Sequence, residues 1–362
     1  DVTPGVIFNR DRTDLPLGES ISIRGNSTIQ ADRNPLIVVD NMIYDGPIEN
    51  INPNDVESIT VLRDAAAASI WGAKAGNGVI VIRTKTGQLD RPMRVNFTAN
   101  ITQGRAFDPF YLPQMPVSDF VDVERRLFKE GYYEFLYESF DNQAVSPLVE
   151  DLYAHKKGKL TDSELAGRID GYRNADVRND LSQYLYRPSL YQQYAVNING
   201  GTSGYSYFFS LGYDQNQETR VAQSRDRFTL NGRQKWSVLK SKGEVELGTY
   251  LISNQSKNGF PDIGSLYPYD RLVDEESNPG AVIRDHNPRF KQNAMDKGVL
   301  DWNYLPLEEI GLSPLIRNDF ETRLNFRLAY RFTPDIQLES NYQFWNQNGN
   351  QEQVFAQNSY FS

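Results

Sequence analysis

Apolar and polar residues alternate along most of the chain beyond Arg91. Val95, Phe97, Ala99 and Ile101 share one parity, with Arg94, Asn96, Thr98 and Asn100 on the other. The same period recurs at Tyr194–Ile198, Tyr205–Tyr213, Phe228–Trp236 and Val245–Leu251. It is clearest where Phe320, Thr322, Leu324, Phe326, Leu328, Tyr330 and Phe332 oppose Glu321, Arg323, Asn325, Arg327, Ala329 and Arg331. Ile336, Leu338, Tyr342 and Phe344 follow against Gln337, Glu339, Asn341 and Gln343. A period of two places successive side chains on opposite faces of a sheet, so these segments predict about seven strands, most near the 9–11 residues of a tilted membrane span.

The first ninety residues have a different texture. Ser20–Arg24 alternates briefly and ends at Gly25, and Pro35–Asp40 is a short apolar run followed by an Asp45-Gly46 turn. Val56 to Leu62 alternates, Asp64 can cap the alanine run Ala65–Ala68, and Gly78–Arg83 is β-branched enough for a central strand. This predicts a small mixed α/β unit over residues 1–90, followed by a strand-rich unit over 91–362.

Connections bear on what kind of sheet this is. A long segment (about 104–188) is followed by a Gly-rich turn at Gly200–Gly204, a medium loop (214–224), a short turn (237–241), a long loop (about 253–316) and a Thr333-Pro334-Asp335 turn. Alternating long and short connections favour an outer-membrane barrel, with short periplasmic turns and long extracellular loops, over a soluble sandwich, which also alternates in polarity. Ser118 is a candidate cap for a helix carrying Phe120, Val123, Leu127 and Phe128, and Thr161–Glu164 has capping-box spacing.

Composition narrows the chemistry. The 38 Lys+Arg and 47 Asp+Glu give a net charge of −9, with no basic run for a nucleic-acid backbone. Zero cysteines exclude a disulfide framework, and no apolar stretch is long enough for a transmembrane helix. The residues at Asp1 lack a signal-peptide pattern. The mean hydropathy of −0.58 does not argue against a barrel, whose wet inner face lowers it.

Catalytic readings fail on order or spacing. Gly72–Gly78 resembles a phosphate cradle, but its glycines precede a strand rather than open a helix. Asp11, Asp14 and Asn52–Asp55 lack EF-hand spacing and read as turn chemistry. His155 reads as a solvated helix end and His286 as a loop residue. Glu244 and Glu246 share a strand face and fit a charged inner wall better than a glycosidase pair. No metal, cofactor or enzymatic activity is expected. The loop aromatics Tyr267, Tyr269, Trp302 and Tyr304 are candidate substrate-stacking residues, against the plainer reading that they pack a large loop.

Four runs carry a resemblance to a known family: Ser22-Ile23-Arg24-Gly25; Pro35 to Val39-Asp40; Asn52 to Ile59; and Val61-Leu62-Arg63-Asp64 through Trp71-Gly72, Gly76-Asn77-Gly78 and Ile80 to Lys85. In order and spacing they resemble the plug domain of SusC/RagA-family TonB-dependent outer-membrane transporters. Val196–Thr202 and Asp226-Arg227-Phe228 match the family's early barrel strands more loosely. Asn41 stands where the family usually has glycine, and Trp71 where tyrosine is common.

The resemblance implies an α+β plug inside a transmembrane antiparallel β-barrel of about 22 strands, of which about seven lie here. It implies TonB-dependent import of an oligomeric nutrient, glycan or peptide, across the bacterial outer membrane. The implied partners are TonB with its inner-membrane motor, a SusD-like surface lipoprotein as lid, and membrane lipid, with no nucleic acid. The family's signal peptide, accessory domain and TonB-contacting segment are expected upstream of Asp1, and the remaining strands beyond Ser362. A non-transporting receptor or adhesin on the same scaffold is the alternative. Arg24 and Arg63 are the expected plug anchors, offered to carboxylates on the barrel wall, with salt bridges inside the plug as the other reading.

Overall fold

The computed structural model describes residues 7–9, 20–22, 34–62, 69–239, 242–264 and 266–362. A short antiparallel pair, β1 (Ile7–Asn9) and β2 (Ser20–Ser22), precedes a four-stranded sheet. That sheet comprises β3 (Leu36–Val39), β4 (Met42–Ile43), β5 (Val56–Leu62) and β6 (Val79–Thr84), in the order β4-β3-β6-β5. β6 is interior, parallel to β3 and antiparallel to β5. Its unbroken apolar run follows from this position. Ile80 and Ile82 pack with Val39 and Tyr44, whereas Val79 packs with Leu36 and Val38. Both faces of the strand are therefore covered.

The expected alternating strands form one antiparallel meander. It runs β7 (Arg91–Gln103), β8 (Leu190–Gly201), β9 (Tyr205–Gln217), β10 (Gln223–Val238), β11 (Gly243–Asn258), β12 (Leu315–Arg331) and β13 (Gln337–Gln353). The registers align the apolar parities, with Leu230 opposite both Leu211 and Leu251, and Phe326 opposite Leu247 and Tyr342. One face carries exposed Phe97, Leu211, Phe228, Leu324 and Phe344, and the other carries buried Asn197, Ser210, Asn231, Tyr250 and Arg323.

Three sequence expectations change. Most of the strands are longer than a membrane span requires. Polar residues such as Gln215–Gln217 and Ser253–Asn258 continue the ladder past the apolar band, because backbone pairing tolerates polar side chains on both faces in water. As a result β9 and β10 are joined by only residues 218–222, so long and short connections do not strictly alternate. The first long-loop helix, α1 (Val117–Lys129), has Pro116 at its N-cap; the Ser118 hydroxyl bonds the neighbouring Asp119 carboxylate instead. Its buried face is Val117, Val121 and Glu124, and Val123 is exposed. The capping box at Thr161 is present and opens α3 (Asp162–Asn174), which packs with α2 (Pro147–Lys156) and α1. The alanine run lies outside the described residues.

The two long loops fold together at one end of the meander. Tyr269 of the second loop donates to Glu124 of α1 at 2.5 Å, the Val177 N–H reaches the Pro268 carbonyl, and Arg289 stands over the Tyr137 ring. No helix among the described residues is long and apolar enough to cross a membrane.

Candidate functional site

The small sheet rests against the polar face of the meander, and hydrogen bonds, ion pairs and a cation–π contact among the described residues join the two. At the centre of the contact is the β3–β4 hairpin. Asp40 and Asn41 both adopt positive φ (50° and 66°), the pair of left-handed residues that a two-residue hairpin turn requires. Asparagine tolerates that conformation better than most residues with a side chain, which accounts for Asn41 at a position where glycine is usual. The turn holds the Asp40 carboxylate between two sheets. It accepts from the Thr84 N–H (2.9 Å) and hydroxyl (2.7 Å) within the small sheet. From the meander it accepts Arg233 Nη1 of β10 (2.9 Å) and the Tyr250 hydroxyl of β11 (2.6 Å). Arg233 also bonds the Thr84 carbonyl at 3.1 Å and pairs with Glu246.

A second cluster lies beside it. Asn50 donates to Glu321 at 2.8 Å and accepts from Asn254 at 2.8 Å, and the Tyr44 hydroxyl reaches Glu321 at 3.2 Å. Arg323 is 3% exposed and sits over the rings of Tyr44 (4.6 Å) and Tyr250 (4.3 Å), whose π faces stabilise its charge. Further along, Asn52 donates to Thr229 (3.1 Å), Asn231 to Asp55 (3.3 Å), and Arg227 to the Glu49 carbonyl. Gly212 of β9 makes room here, since a Cβ would come within 2.3 Å of the Asn52 amide. Burial pushes the Asp55 carboxyl above the ordinary carboxylate range, and it raises the Tyr44 phenol as well.

Among the described residues the donors across this contact come from both sides. Arg24 and Arg63 lie outside the described residues, as do Ile23, Gly25 and Asp64. Arg227 and Arg233 of the meander donate to Glu49, Asp40 and Thr84, whereas Tyr44, Asn50 and Asn52 donate in the other direction, to Glu321 and Thr229. Strand parity places Arg227, Arg233 and Arg323 on the polar face, but it does not tell which partner they meet. Of the other motif residues, Val39 is fully buried, and Leu62 and Trp71 pack against Leu36 and Val79. Gly72 and Gly78 take positive φ (73° and 94°) and bracket a 3-10 helix, Ala73–Asn77, that contains Gly76 and Asn77. The Gly78 carbonyl accepts from the Leu36 N–H, which docks β6 beside β3. Asn52–Asp55 is turn chemistry, with the Asn52 side chain accepting from the Asn54 N–H at 2.9 Å.

The expected stacking aromatics are largely used in packing. Tyr269 is 2% and Tyr304 0% exposed, each inside a loop core, so neither offers a ring face to a ligand. Tyr267 stacks on Tyr269, and Trp302 packs edge-on against His286 and Phe290; both remain half-buried. Large loops need cores of their own, and these aromatics supply them. Glu244 and Glu246 are held by Lys235, Arg233 and Arg327, consistent with a charged inner wall.

Known proteins account for this pairing of a small sheet with an antiparallel meander. The TonB-dependent Receptor Plug Domain model matches residues 1–79. A TonB-dependent receptor of Formosa agariphila is 45% identical over 280 residues, covering 76% of this chain and 23% of its own length. The TonB-dependent receptor SusC of Bacteroides thetaiotaomicron is 24% identical over 349 residues, 89% of this chain and 30% of its own. The solved RagAB peptide importer superposes with a TM-score of 0.62 at 21% identity, covering 92% of this chain and 36% of that one. The chain belongs to the SusC/RagA family of TonB-dependent receptors. The small sheet is thus part of the plug, the meander is part of the barrel wall, and their place is the bacterial outer membrane. The chain spans about a third or less of the family members it matches.

Proposed function

We propose that the whole protein imports an oligomeric nutrient, glycan or peptide, across the outer membrane, with TonB supplying the work and a SusD-like lipoprotein closing the extracellular mouth. In this reading the loop cluster of residues 104–189 and 259–314 faces outside and the short turns face the periplasm. The observation that carries it is the character of the plug–wall contact. Hydrogen bonds and ion pairs join the two, and such contacts exchange for water at a net cost near 1 kcal/mol each. A plug held in this way is firmly seated at rest and displaceable under a mechanical pull. An apolar core shared between plug and wall would resist that displacement. The family supports the reading, and the RagAB relative is itself described as a peptide importer.

The test is accumulation of fluorescent oligosaccharides and peptides by cells carrying the intact protein, with and without TonB. Accumulation of one class that is lost without TonB is the expected result. Binding at the surface with no TonB-dependent entry of either class would leave a receptor or adhesin instead.

A further inference from the structure

The outer face of the meander changes character in a single step along its strands. The registers of β8–β12 align Tyr194, Tyr213, Phe228, Ser253 and Phe320 in one row. One step nearer the long loops they align Gln192, Gln215, Asp226, Gln255 and Asn318. A mainly aromatic row is thus topped by four carboxamides and a carboxylate, on strands none of which is at an edge of the meander. Both rows share the parity of the exposed Val196, Leu211 and Leu324, so they point away from the plug. A strand rises about 3.3 Å per residue, or roughly 2.5 Å of height at the tilt of a barrel wall. From Phe228 to Trp236, β10 therefore covers about 20 Å on this face, near the height of the hydrocarbon band. The amide row lies about 5 Å beyond the aromatic one, where the lipid head groups begin.

We propose that this amide row is a docking surface for the neutral saccharide head groups of the glycolipid in the outer leaflet. The inference uses the outer-membrane location and the loops-outward orientation, and it does not need the import reading. Three features support it. First, a carboxamide donates and accepts at once, as a sugar hydroxyl does. Second, the amides are held in place. The Tyr194 hydroxyl donates to Gln192 at 3.1 Å, Gln192 to Gln215 at 3.3 Å, and Gln255 to Asn318 at 2.8 Å. An amide can make about four hydrogen bonds, so these contacts fix its direction and leave capacity for a hydroxyl. Third, the row contains no Lys or Arg, and Asp226 carries its one charge. A phosphate-bearing head group would meet a carboxylate and no counter-ion there, whereas a carboxylate accepts readily from sugar hydroxyls. Lys257 comes only a step further out, opposite Ser224. Because the row faces away from the plug, its occupant is membrane lipid and not cargo in passage.

The test is native mass spectrometry of the full-length protein in detergent, offered equal amounts of diglucosyl diacylglycerol and phosphatidylglycerol. Several-fold preferential retention of the diglucosyl lipid is the expected result. Gln215→Leu with Gln255→Leu should bring its retention down to that of phosphatidylglycerol. Gln234→Leu, on the same face but within four residues of the short-turn end of β10, should leave the preference intact. If the double variant fails to reach the membrane, Gln255→Leu alone replaces it and should lower the preference. Equal retention of the two lipids by the parent, or a preference for phosphatidylglycerol, overturns the proposal. So does a preference that survives the row substitutions or falls equally with Gln234→Leu. A dimer that the row substitutions split would place a second copy on this surface and overturns it as well. Since none of these masses depends on TonB or on uptake, the outcomes are separate from failure of the import reading.

Discussion

At the residue scale, the Asp40-Asn41 turn shows how a local backbone demand and a functional contact coincide. The turn needs two left-handed residues, and only a short polar side chain or none meets that demand cheaply. Asp40 is kept despite the cost because its carboxylate receives four donors from the plug and the wall. Asn41 follows it with no such obligation. Asn41→Gly should therefore be neutral or mildly stabilising, while Asn41→Val should destabilise the plug by about 1–2 kcal/mol, the penalty for a side chain in the left-handed region. Protease resistance of residues 34–62 in the full-length protein measures this; equal resistance of the two variants would show that the turn is not the constraint. The sequence already marked position 41 as unusual, through an asparagine where glycine is common. It did not reveal Asp40 as an interface residue, because nothing in Val-Val-Asp distinguishes a carboxylate capped within its own sheet from one shared with another.

At the scale of elements, the strands were legible and the loops were not, for one physical reason. A strand in a wall buries one parity against the plug and turns the other to lipid, and this two-residue period survives in a single sequence. Loop cores have no period, so the burial of Tyr269 and Tyr304 and the rotated face of α1 emerge only from packing between segments far apart in the chain. That packing also carries a pH response. Burial and the nearby Glu124 push the Asp270 carboxyl up from 3.8 to about 6, against the Tyr267 N–H that bonds it at 2.7 Å. Burial raises Glu124 too, opposed by the Tyr269 hydroxyl. Tyr172 and Tyr267 also couple to Asp270, and both phenols are neutral across this range. A raised carboxyl binds its proton more tightly when folded than when unfolded, so the loop cluster gains stability as pH falls from about 6 toward 4. For Asp270 the gain is at most on the order of 3 kcal/mol, and above pH 6 its response is flat. Protection factors of residues 117–129 and 266–272, corrected for the intrinsic slowing of exchange in acid, should rise across that window, and Asp270→Asn should reduce the rise. Protection factors that stay level or fall on acidification would contradict the assignment.

At the scale of the whole molecule, the plug and the wall are stabilised by different means, and this bears on how they come apart. The plug's described core consists of two small clusters on either side of one sheet, around Val39 and Ile80 and around Val38 and Val79. The wall is a continuous ladder of strands up to 17 residues long, whose apolar face is covered by lipid or detergent. In lipid every backbone group of such a wall must stay paired, so it opens only as a unit. The contact between the two bodies is polar and competes with water on nearly equal terms, and it adds little cooperativity between them. Urea should therefore unfold the full-length protein in detergent in two steps, the plug first and the wall at higher concentration. Trp71 packs in the plug core, whereas Trp236 and Trp345 lie on wall strands and Trp302 in a loop. The fluorescence difference between the parent and Trp71→Phe isolates the plug transition, and loss of sheet signal by circular dichroism reports the wall. Arg233→Gln should move the first transition to lower urea and leave the second in place. If the Trp71 transition coincides with loss of the wall, plug and wall form one cooperative unit, and a pull on the plug could not release it without dismantling the barrel.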